Sequence, residues 1–167
     1  MQSINLNDIN NILNSSLVSA LFGSLVGGLI TWWVTSSSLK KQVEYQNNIA
    51  REEKIKRLIE ALVSVKSEMK SNIKELNDFT MGMEDSIIFL KENLISDDKF
   101  RKYRDIIEIE KGAEFIDKVS DCFEGMYRLC NTEDLVYIFV KHQISQCKKV
   151  QDMLEKEIEK QRKIIYK

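Results

Sequence analysis

Leu17 to Val34 reads LVSALFGSLVGGLITWWV, eighteen consecutive positions without a charged side chain. At a rise of about 1.5 Å per residue, a helix of that length spans about 27 Å, close to the hydrocarbon thickness of a bilayer. The pattern predicts one membrane-spanning helix over residues 17–35. Residues 36–54 then turn polar, with Leu39, Val43, Ile49 and Ala50 as the only aliphatic positions. No glycine or proline obliges a break before Gly82, so the helix is expected to continue as a solvated stalk over 36–80. From Ile55 a seam begins: Ile55, Leu58, Leu62, Val65, Met69, Asn72, Leu76 and Phe79, at alternating spacings of three and four. Asn72 is its one polar member, a residue type that fixes register at a cost in stability. Ile59 and Ile73 widen the stripe, which favours a multi-helix bundle over a bare two-stranded coil.

The remainder reads as short helices joined by tight turns. The run FTMGMEDS around Gly82 marks the first turn, and Glu84-Asp85-Ser86 is expected to open a short helix through IIFLKENL. Ser96 suits an N-cap, with Asp97 and Asp98 in the first turn that follows. Gly112 separates that helix from another, whose buried stripe is Ile116, Val119, Phe123, Met126 and Cys130. Asn131-Thr132 makes a joint, and Thr132 with Glu133 and Asp134 suits the start of the last helix. Its buried face is Val136, Val140, Ile144, Cys147, Leu154 and Ile158. LVYIFV (135–140) is strand-like by composition but is read as helix from its flanks. The expected fold class is all-α. A single N-terminal transmembrane helix continues into a long stalk helix and a small antiparallel cytoplasmic helical bundle. The boundaries are 1–16 (extracytoplasmic), 17–35, 36–80 and 84–167.

Composition narrows the classes further. The 167 residues include no proline and six glycines, with 43% hydrophobic and 31% charged residues. That is too apolar for a disordered chain and too poor in turn formers for a sandwich or barrel. A formal net charge of −1 argues against a duplex-DNA binder. Ile, Lys and Asn outnumber Ala, Gly and Pro by a wide margin, the signature of an AT-rich bacterial, phage or mobile-island gene.

The flanks of the apolar run set its orientation. Trp32 and Trp33 stand at its C-terminal edge, where indoles prefer the headgroup level, and Lys40 and Lys41 follow as interface anchors. Asp8 is the one charged side chain before it, so a positive n-region is lacking and a cleaved signal peptide is not expected. The positive-inside rule puts the N-terminus outside and the rest in the cytoplasm, at a bacterial inner (cytoplasmic) membrane. Leu6, Ile9, Leu13 and Leu17 fall at helical spacing, which suits an amphipathic turn at the outer interface.

Within the segment Ser19, Gly23, Gly27 and Thr31 repeat every four residues, and Ala20, Ser24 and Gly28 form an adjacent row. Small residues at this spacing let two backbones approach closely in lipid. The expectation is a homo-oligomer packed through this face, or a narrow pore lined by it.

Candidate chemistry is sparse. Cys122, Cys130 and Cys147 form no C-x-x-C pair, and with His142 they lack zinc-site spacing. They are expected to be small core thiols in a reducing cytoplasm. No phosphate-binding glycine loop or nucleophile elbow occurs. No catalytic constellation, metal or cofactor is expected, and the chain is not read as an enzyme. One cluster stands out: Lys99, Arg101, Lys102 and Arg104 interleave with Phe100 and Tyr103, and Lys141, Lys148 and Lys149 add a second basic stretch. Cations fix phosphates and aromatic faces stack bases, so a nucleotide or oligonucleotide is a candidate ligand if the two stretches meet. The terminal KQRKIIYK suits an anionic surface as well as it suits an ordinary helix C-terminus.

Two functions fit. One is an oligomeric membrane effector, gated by its cytoplasmic domain and opening a pore or disturbing the bilayer. In architecture alone the chain resembles the small membrane effectors of bacterial defence systems, with no motif tying it to one family. The other is a non-catalytic anchored scaffold that docks a cytoplasmic protein partner.

Overall fold

The computed structural model describes residues 16–81, 87–88, 94–132 and 135–166. Among these, four helices carry the fold: α1 (Ser16–Thr80), α2 (Asp98–Lys111), α3 (Ala113–Cys130) and α4 (Tyr137–Ile165). Two compact units divide the chain, Met1–Ala50 and Arg51–Lys167. The expected amphipathic turn at Leu6–Leu13, the turn at Gly82 and the helix start at Glu84 lie outside the described residues.

In the first unit, α1 is long and apolar enough to cross a membrane, and none of its apolar window is buried.

In the second unit, α1 from Leu58 onward packs with α2, α3 and α4 around one core. Leu58, Leu62, Val65, Met69, Asn72 and Leu76 of the expected seam are buried, and Ile55 and Phe79 are half-buried at its ends. Ala61 and Glu68 join them inside. From the facing helices come Phe100 and Ile107, then Ile116, Val119, Phe123 and Met126, then Val140, Ile144, Leu154 and Ile158. Phe100 and Phe123 stack with ring centroids 4.9 Å apart, joining α2 to α3.

Asn72 does more than fix register. Its Nδ2 donates to the Ser96 carbonyl at 2.7 Å, and its Oδ1 accepts the Ser96 N–H at 3.2 Å. Ser96 is not the N-cap expected of it. Asp97 holds that position, and the Ser96 hydroxyl donates to Glu68 Oε1 at 2.8 Å. Gly112 is both the last cap of α2 and the first of α3, at φ 84° and ψ 168°. Side chains with a Cβ almost never reach that region, so glycine is required at this joint.

Two expectations shift at the other joint. Thr132 closes α3 rather than opening α4, its hydroxyl donating to the Arg128 carbonyl at 2.6 Å. Ile87–Ile88 (β1) pairs antiparallel with Leu135–Val136 (β2), with Ile87 opposite Val136. The helix expected through IIFL is therefore extended at Ile87–Ile88, and α4 begins only at Tyr137. Both runs are short and apolar, and periodicity does not separate strand from buried helix at that length.

Candidate functional site

The small-residue face of α1 is fully solvent-facing within the chain. Ser19, Ala20, Gly23, Ser24, Gly27, Gly28 and Thr31 are all exposed. A Cβ added at Gly23, Gly27 or Gly28 would meet nothing within 4 Å. No packing inside the chain therefore demands glycine at these positions. The hydroxyls between them are satisfied locally. Ser24 Oγ donates to the Leu21 carbonyl at 2.9 Å and Thr31 Oγ1 to the Gly27 carbonyl at 2.8 Å. Such back-bonding lets a polar side chain reside where no water is available. Gly28, Thr31 and Thr35 lie along a shallow groove on this surface, with Trp32 and Leu39 at its sides. Trp32 and Trp33 are 69% and 70% exposed, and Lys40 and Lys41 follow, also exposed.

The two basic stretches find different neighbours. Arg101 Nε bonds Asp97 Oδ2 at 2.6 Å, and that bond and the Asp97 charge raise its already high pKa. Asp97 Oδ1 also accepts the Tyr127 hydroxyl at 2.9 Å. Burial first, and then this carboxylate, push the Tyr127 phenol up. Arg104 lies 4.0 Å from Glu108, and Lys102 sits over the Tyr103 ring at 5.0 Å. On α4, Lys141 sits over the Tyr137 ring at 5.1 Å. Lys149 lines a groove of about 400 Å³ with Gln146 and with Lys118 and Asp121 of α3. Lys99 and Lys148 are exposed. Among the described residues, no hydrogen bond or ion pair joins the α2 stretch to the α4 stretch.

The cysteines depart from expectation. Cys122 and Cys147 are joined as a disulfide between α3 and α4, with Cα atoms 5.6 Å apart. Both face the core where the helices meet, which a linear spacing of 25 does not reveal. Cys130 is the free thiol, and burial pushes its pKa up. His142 is exposed beside Gln146, whose Nε2 lies 3.3 Å from its ring, and Cys147 lies in the core. Among the described residues no group of His, Cys, Asp and Glu is arranged to hold a metal ion.

Sequence reading missed the polar groups that organise the bundle. Glu68 reads as a solvated charge between seam positions, yet it is 5% exposed and bonds the start of α2. Gln143 Nε2 donates to the Cys122 carbonyl at 3.2 Å, and it occupies the space a Cβ on Gly125 would need. A larger residue at Gly125 would require the Gln143 amide to move.

Fold and surface together define a class: an all-α helical bundle whose first helix carries an uncovered apolar segment long enough to cross a membrane. No protein-family model, curated protein or solved structure matches the chain.

Proposed function

We propose that the chain is an oligomeric single-pass membrane effector of the bacterial inner membrane. In this reading the N-terminus lies outside, and the helical bundle lies in the cytoplasm and gates the membrane helices. The observation that carries it is the uncovered apolar segment. Nine large side chains from Leu21 to Val34 are at least half exposed. Left in water they forgo about 1.5–3 kcal/mol each of burial free energy, and together they form an apolar surface of the kind that drives association. Lipid and neighbouring copies of the segment are the media that remove that penalty. The open positions at Gly23, Gly27 and Gly28 support close approach of a second helix. The gate's input is a cytoplasmic protein or an anionic nucleotide. Lys99, Lys102, Lys141, Lys148 and Lys149, which form no ion pair among the described residues, are the groups that would hold the anion.

The test is direct. Gly23→Leu or Gly27→Leu should abolish oligomers in detergent, together with any membrane leak or growth arrest on expression. Leucine variants that stay oligomeric and fully active would overturn the effector reading.

A second reading, an anchored scaffold, is favoured by one feature of the bundle. Ile138 and Phe139 at the start of α4 are 67% and 62% exposed, which suits a docking surface for a protein partner. A plain replacement anchor over 17–35 that preserves function would select this alternative.

A further inference from the structure

Residues 148–167 carry seven cations and four acids. The fold pairs two of those acids with cations of other helices. Glu155 pairs with Lys66 of α1. Glu157 pairs with Lys111 of α2 at 2.6 Å and accepts Gln161 Nε2 at 2.6 Å. The outward side keeps Lys156, Lys160, Arg162 and Lys163, all exposed and without an ion pair among the described residues. Asp152 and Glu159 are the acids left on the exposed surface. Beside these cations Ile164 is 43% exposed and Tyr166 is 84% exposed.

From this we propose that the C-terminal end of α4 is a docking surface for anionic lipid headgroups. The proposal rests on the membrane reading above. Cations flanking an exposed aliphatic side chain and a tyrosine are the composition that seats a helix at a charged lipid interface. Ordinary complementarity to the helix dipole accounts for Arg162 and Lys163 in the last turn. It does not account for Lys156, or for the exposed Ile164 and Tyr166.

Covalent continuity with the apolar segment of α1 favours a membrane over a free anion. Cys147 is bonded to Cys122, whose sulfur lies 4.0 Å from Met69, and Glu155 meets Lys66. Moving towards the C-terminus of α4 therefore moves towards the start of α1's bundle portion. A surface on the same chain as a membrane anchor meets lipid at high effective concentration, so modest intrinsic affinity suffices.

The experiment is hydrogen exchange on the full chain reconstituted into vesicles of phosphatidylcholine, alone or mixed with phosphatidylglycerol. Amides of residues 160–166 should exchange about tenfold more slowly in the anionic vesicles, and high salt should reverse the effect. Lys156→Glu with Lys160→Glu and Lys163→Glu should abolish the slowing. Unchanged exchange over Ile116–Met126 verifies that this variant keeps its fold. Equal exchange in the two lipids, or slowing that survives charge reversal, overturns the proposal. So does equal slowing by inorganic phosphate in phosphatidylcholine vesicles, which would point to a free anion. Residues 18–34 report separately: if they exchange freely in both lipids, the membrane reading fails, whatever the end of α4 does.

Discussion

Oε2 of Glu68 accepts the backbone N–H of Phe100 at 2.9 Å, across 32 residues of chain. Its other oxygen takes the N–H of Lys99 at 3.0 Å and the Ser96 hydroxyl at 2.8 Å. A carboxylate from α1 thus satisfies the free N–H groups at the start of α2, the task of an N-cap side chain, and places negative charge where the helix dipole favours it. Glu68→Gln keeps the shape but leaves one acceptor oxygen for three donors. We expect a loss of about 1–3 kcal/mol, read from the urea midpoint. A midpoint equal to wild type would show that the clamp carries no stability.

The Gly125 and Gln143 pair should be coupled. Gly125→Ala gains helix propensity, about 1 kcal/mol, but forces the Gln143 amide off the Cys122 carbonyl. In Gln143→Ala the space is free, so the same alanine should stabilise. A double-mutant cycle should give an interaction energy of about 0.5–3 kcal/mol. Additive effects of the two substitutions would refute the contact.

Glu157 supplies an acid-dependent component of stability. Burial alone would raise its pKa, but the hydrogen bonds from Lys111 and Gln161 and the charges of Lys111 and Lys160 outweigh burial. Its carboxyl therefore titrates below the ordinary value of 4.5. As pH falls, the unfolded chain protonates first, so the contribution is complete above that ordinary value and lost through the lower folded one. Lys111→Met should destabilise near neutral pH, and its deficit should shrink as pH drops below 4.5. Denaturation across a pH series measures this. A deficit that stays constant with pH would contradict it.

Under the membrane proposal, the disulfide and the charged flank favour opposite compartments for the bundle. Disulfides persist in oxidising compartments, whereas Lys40, Lys41 and Arg51 favour the reducing cytoplasm. We expect the charge bias to govern topology. Alkylation after rapid acid quench of living cells should then tag all three cysteines. Protein purified in air should tag Cys130 alone until a reductant is added. Two protected cysteines inside cells would place the bundle outside.

How much of this was legible follows from what periodicity encodes. Burial along one helix repeats at helical spacing, so Leu58, Leu62, Val65, Met69 and Leu76 announce their shared face. A break that only glycine can make is equally local, and Gly112 was readable for that reason. Partners across the fold are not local. Glu68 looks like any surface acid until Ser96 and the start of α2 arrive against it. Cys122 and Cys147 acquire meaning only once α3 lies against α4. The apolar segment lies at the far end of legibility, visible in eighteen letters because its character depends on composition alone and not on a partner elsewhere in the fold.

The ion pair between Lys66 and Glu155 also sets an order in time. The apolar segment leaves the ribosome before α1's seam, which follows with nothing to cover it. The last core layer, Leu154 and Ile158, is made some ninety residues after Lys66. At about 5–20 residues per second, the seam stays open for roughly five to twenty seconds. During that interval the apolar faces of neighbouring nascent chains are the nearest competitors for it.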